Sequence, residues 1–120
     1  MRLVAAVVMF VHGVAHLPGF LVSWRLASFD ELPYRTTILA GRLDLGDHGI
    51  QIVGILWAAL AFTFLAAGAA AFLRLPWWGP VAQAAVALSL VLCAIGWPET
   101  RIGVLVNIAL GIWLLSGAAR

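Results

Sequence analysis

The chain has 120 residues, of which 64% are hydrophobic and 10% charged, with a formal net charge of +2. So little polar surface cannot cover a water-soluble globule of this size, and the composition places the chain in lipid. The seven basic residues are all arginines, Arg2, Arg25, Arg35, Arg42, Arg74, Arg101 and Arg120, set singly along the chain rather than in the patch that nucleic-acid binding requires.

The first apolar segment covers 3–24. Arg2 before a hydrophobic stretch also suits a signal peptide, but the length of the stretch and its two histidines point to a membrane span. Residues 25–49 follow as a polar loop with four of the five acidic side chains and three of the arginines. The second span, 50–73, stops at Arg74 and the turn Pro76-Trp77-Trp78-Gly79-Pro80. A third span, 81–97, ends before Pro98, and Glu99 and Thr100 supply a polar turn into the fourth, 101–117.

A spanning helix takes about 20 residues, so four spans and their links nearly exhaust the chain as one transmembrane domain, residues 1–120. The fold expected is all-α: a polytopic membrane protein with four transmembrane helices in an up-down bundle, because short links force antiparallel neighbours. Trp24, Trp77, Trp78 and Trp97 fall at span ends, where indole rings favour the headgroup level, while Trp57 and Trp113 lie deeper and should pack. Small residues predict close helix contacts at Gly54 and Ala58, and at Gly103, Asn107 and Gly111. The lone cysteine, Cys93, reads as a small packing residue. Arginine counts on the two faces are nearly balanced, but all five acids belong to the loop face, which favours cytoplasmic termini.

The string His12-Gly13-Val14-Ala15-His16-Leu17-Pro18-Gly19-Phe20 holds the most informative chemistry. Its histidines, at i and i+4, share a helix face with Met9, Gly19 and Ser23 and should point away from lipid. Each ring can bond a backbone carbonyl or a partner such as Asn107 and so fix helix register. Alternatively, His12 and His16 ligate a metal ion together with His48 and the nearby carboxylates Asp44 and Asp47. Haem would need His16 with His48, since two histidines one turn apart cannot take opposite axial positions.

In the loop, Arg42 is expected to pair with Asp44 or Asp47, with one of those acids capping the second span. The functional reading gathers His16, Asp44, Asp47, His48, Glu99 and Arg101 into a polar mouth on one membrane face. No nucleophile with a neighbouring base is evident, so nothing points to hydrolytic catalysis. Proton-coupled transport by an oligomer would have to run through His12, because no acid lies inside a span.

Three stretches carry a resemblance: His12 to Phe20, Gly41-Arg42-Leu43-Asp44-Leu45-Gly46-Asp47 leading to Gly54-Ile55-Leu56-Trp57, and Trp97 to Asn107 with Arg101-Ile102-Gly103. Together they resemble a group of uncharacterised four-span bacterial membrane proteins, which implies a bacterial inner membrane and adds no mechanism. A looser similarity in size and span count is to the DoxX-like four-helix proteins. The functional expectation is a non-catalytic component that supports a partner membrane protein or a second copy, or holds a small lipophilic molecule in its polar mouth. The competing expectation is a metal- or haem-dependent redox protein using His12, His16 and His48.

Overall fold

A computed structural model describes all of residues 1–120. The elements run α1 (Arg2–Ser23), β1 (Thr37–Ile38), β2 (Leu43–Asp44), α2 (Gly46–Phe72), α3 (Trp78–Ile95) and α4 (Arg101–Leu115). The first three helices, of 22, 27 and 18 residues, are long and apolar enough to cross a membrane, whereas α4 is apolar but has 15. Only 29 of the 120 residues are buried, and outward positions carry large apolar side chains, with Phe62, Ile102 and Leu115 at 66%, 70% and 77% exposure. In water a surface of that kind would drive association.

Helix ends differ from the apolar pattern for identifiable reasons. α2 starts at Gly46 rather than at 50, because the Asp44 carboxylate accepts the Gly46 N–H at 2.9 Å and the polar Gly46-Asp47-His48-Gly49 run then forms its first turn. α3 starts at Trp78 rather than at 81, with Pro80 inside its first turn, where a missing N–H removes no intrahelical bond. α4 stops before Gly117, whose φ of +76° leaves the helical region.

The loop contains a small antiparallel hairpin pairing Thr37 with Asp44 and Ile38 with Leu43, too short for alternation to reveal. Its turn places Leu39, Ala40 and Gly41 at positive φ. The Leu39 amide donates to the Ile95 carbonyl at 2.9 Å and ties the turn to the end of α3.

Small residues set the helix contacts. α1 and α2 run antiparallel, with Ala6 and Met9 beside Gly68, Gly13 beside Ala61 and Phe64, and Gly19 beside Trp57. A Cβ at Gly13 would lie 2.9 Å from the Ala61 carbonyl oxygen, and one at Gly68 would lie 3.0 Å from that of Ala6, so both backbones touch there. Gly54 belongs to the same interface, opposite Ser23, while Gly103 and Gly111 face Cys93 and Val86 between α3 and α4. Alanines fill the core around Met9, Leu60 and Phe64.

Candidate functional site

His12 and His16 lie on the inward face of α1, at 8% and 3% exposure, against Ser89 of α3 and Asn107 of α4, both fully buried. The donor sense of this cluster follows from its partners. Asn107 Nδ2 sits 2.8 Å from the Gly103 carbonyl, which only accepts, so the amide orientation is fixed and Oδ1 faces His12. His12 Nε2 therefore donates to Asn107 Oδ1 at 3.1 Å. Asn107 Nδ2 donates in turn to Ser89 Oγ at 2.9 Å. The Ser89 hydroxyl donates to His16 Nε2 at 2.6 Å, and His16 Nδ1 donates to the His12 carbonyl at 2.7 Å, closing the ring. Cys93 Sγ lies beside Asn107 at 3.6 Å.

This closed ring joins α1, α3 and α4 by side-chain bonds and engages every side-chain nitrogen and oxygen of its four members except His12 Nδ1. Phe64 seals it from α2, its ring 4.7 Å from that of His12 and 5.1 Å from that of His16. A proton cannot pass around the ring without turning the Asn107 amide into an imidic acid, and one link ends on a backbone carbonyl. The arrangement positions helices; it gives His12 no neighbour suited to relaying a proton.

Beyond His16 the interior opens. Trp57, with its ring 5.4 Å from that of His16, stands where Gly19 leaves room for an indole and forms part of the wall of a cavity of about 140 Å³. Val22, Ile50, Val53, Leu92 and Ile95 supply apolar wall, while Tyr34, Arg35 and Glu99 stand among its polar groups. The loop is the roof and is pinned on opposite sides by consecutive residues. Tyr34 hydrogen-bonds Asp47 beneath the Arg25 guanidinium, which sits 4.3 Å over its ring. Arg35 forms an ion pair with Glu99 at 2.7 Å.

The residues singled out in the sequence thus divide. His12, His16 and Asn107 meet in the buried ring; Glu99 lines the cavity, and Asp47 holds its roof through Tyr34. Asp44 caps α2 from the hairpin, and His48 and Arg101 are exposed. The pairing expected of Arg42 is corrected: Arg25, just past α1, takes Asp47 at 2.9 Å, while Arg42 stays on the exposed hairpin turn. The triad His12, His16 and His48 does not assemble, nor does a haem pair of His16 and His48. His48 lies exposed in the first turn of α2, three of the four nitrogens of the buried rings are engaged, and no three His, Cys, Asp or Glu side chains converge.

Sequence reasoning passed over Ser89, Tyr34 and Arg35. Ser89 had a signal, since Ala85, Ser89 and Cys93 recur every four residues as a small-residue face in α3. Tyr34 and Arg35 had none, because only the folded loop separates them onto two walls.

The Gly46 N–H, then the Thr36 hydroxyl, hold the Asp44 carboxyl below its usual range. A lowered folded value means that the cap contributes fully above the ordinary pKa, about 3.9, and is lost as pH falls through the lowered one. The Gly46 amide resonance should therefore titrate with a midpoint below 3.9 between pH 6 and 2. A midpoint at the ordinary value would show that the helix start does not hold the carboxylate.

No family model, curated protein or solved structure matches this chain. The functional reading therefore rests on the geometry of the ring and the cavity.

Proposed function

We propose that the chain is a four-span integral protein of a bacterial inner membrane, an up-down four-helix bundle that binds a small lipophilic molecule in its loop-face cavity and has no catalytic role. The observation that carries this reading is the cavity itself, walled by apolar side chains and roofed by a loop fastened on both sides. Its volume of about 140 Å³ is close to that of an apolar cavity that accepts one benzene-sized molecule, roughly 150 Å³. Polar groups at the roof would orient a ligand with one hydrogen-bonding end.

Three long apolar helices support the membrane assignment. As a fourth span, α4 would cover about 22 Å at 1.5 Å per residue, against a hydrocarbon core of about 30 Å. Arg101 and Arg120, both exposed beyond its apolar stretch, can snorkel to make up the difference. Arg2, Arg74 and Arg120 share the end away from the loop, which favours that end in the cytoplasm. The resemblance to four-span bacterial proteins implies a bacterial inner membrane.

Filling the cavity tests the reading. Wild-type protein purified in mild detergent should release a lipophilic molecule into a solvent extract examined by mass spectrometry. Val53→Phe, which puts a phenyl ring into the cavity wall, should retain at least about tenfold less, equivalent to about 1.4 kcal/mol, at unchanged helix content. Equal retention by the variant, or an empty extract from the wild type, would refute the binding role.

A further inference from the structure

The end of the molecule opposite the loop has a different character. Arg2, Arg74 and Arg120 line an open cleft of about 620 Å³ together with Leu3, Ala71 and Phe72. None of these arginines is in an ion pair: both salt bridges, Arg25 with Asp47 and Arg35 with Glu99, lie at the loop end. All five acidic residues, Asp30, Glu31, Asp44, Asp47 and Glu99, belong to that loop end as well. Three guanidinium groups thus gather around one cleft with no carboxylate side chain to balance them. Leu3 and Phe72, each 64% exposed, turn apolar surface outward beside them.

We propose that this cleft binds an anionic glycerophospholipid. Its phosphate accepts hydrogen bonds from the guanidinium groups, whose planar fork suits phosphate oxygens, and its acyl chains run along Leu3 and Phe72. Two features choose this ligand over others with a phosphate. The cleft opens where α1 begins and α2 ends, so its apolar flank continues into the outward faces of two long apolar helices, which a soluble anion would leave uncovered. A zwitterionic headgroup would bring its ammonium among three guanidinium groups. Basic clefts at the ends of membrane helices are suited to anionic headgroups on these grounds. The inference rests on the membrane reading but not on the loop-face cavity, and Val53→Phe leaves it untouched.

The test uses full-length protein in nanodiscs of mixed phosphatidylglycerol and phosphatidylcholine, with retained lipid counted by native mass spectrometry. Wild type should retain phosphatidylglycerol preferentially, each arginine contributing about a fivefold factor. Arg2→Gln, Arg74→Gln and Arg120→Gln combined should abolish the preference, since all three side chains are exposed and their loss leaves the core intact. Millimolar inorganic phosphate should not displace the lipid. Equal retention of the two lipids by wild type, an undiminished preference in the triple variant, or displacement by phosphate would each overturn the proposal. Should the triple variant fail to fold, the wild-type preference should fall as sodium chloride is raised to molar concentration, and indifference to salt would overturn it equally.

Discussion

Asn107→Leu should lower stability by about 2–3 kcal/mol, measured by reversible unfolding in mixed micelles. The residue is the hub of the buried ring: it accepts from His12, donates to Ser89 and to the Gly103 carbonyl, and touches the Cys93 sulfur. A single interhelical hydrogen bond in an apolar medium contributes only about 0.6 kcal/mol on average, so two lost bonds alone give about 1.2 kcal/mol. The remainder comes from the His12 N–H, left in an apolar interior without an acceptor, where an unmet donor costs about 1–3 kcal/mol. Leucine repeats the branching of asparagine with bulkier methyl groups, so no cavity is left, and crowding at this fully buried position adds to the loss. Ser89→Ala should cost somewhat less: two interhelical bonds are lost there as well, but the Asn107 amide it frees still lies 3.6 Å from the Cys93 sulfur, a weak acceptor, whereas the freed His12 N–H has none. Because Ser89 and Asn107 bond each other, the double variant should cost less than the sum of the two singles, by about 0.5 kcal/mol or more. A loss below about 0.5 kcal/mol in Asn107→Leu would show that packing, not the ring, holds α4 in place.

How much of this site could be read from the sequence depends on the distance over which its physics acts. Apolar runs report helices because lipid or core selects side chains over a whole turn, and the four runs are helices that polar or proline-bearing turns extend at the starts of α2 and α3 and that end one or two residues short of the apolar pattern. The shared face of His12 and His16 is a consequence of helical periodicity, and Asn107 was placed on an interior face by its four-residue spacing with Gly103 and Gly111. Ser89 did not, since a serine in a helix can satisfy its hydroxyl on a carbonyl one turn back, as Ser23 does on Gly19 at 2.6 Å. The loop was least legible. Arg25, Arg35 and Arg42 are equivalent in composition, and only the approach of the end of α1 to the start of α2 decides that Arg25 reaches Asp47. The cavity had no local signature, because its walls come from four separate stretches of the chain between Ala15 and Thr100. His48 was grouped with the other histidines by chemistry alone, and the geometry of α2 sets it outside.

Gly13→Leu is expected to destabilise the protein by about 3 kcal/mol, the upper end of what overpacking commonly costs. A Cβ at this position meets the Ala61 carbonyl oxygen at 2.9 Å, the Phe64 Cβ at 3.1 Å and the Leu65 Cγ at 3.2 Å. The first two of these atoms belong to the α2 backbone or its immediate branch, so no rotamer change can remove them, and α1 must move off α2. That movement also carries Phe64 away from the two imidazole rings it packs against. Gly13→Ala should cost less, since its single methyl asks for a shift of a few tenths of an ångström and alanine regains about 1 kcal/mol of helix propensity. The leucine variant also shows whether the glycine contact and the polar ring act as one unit. If seating α1 against α2 is what aligns His12 with Asn107, then adding Asn107→Leu to Gly13→Leu should cost clearly less than it costs alone. Strict additivity of the two losses would mean that the ring keeps its geometry when α1 shifts, and that Gly13 serves packing only.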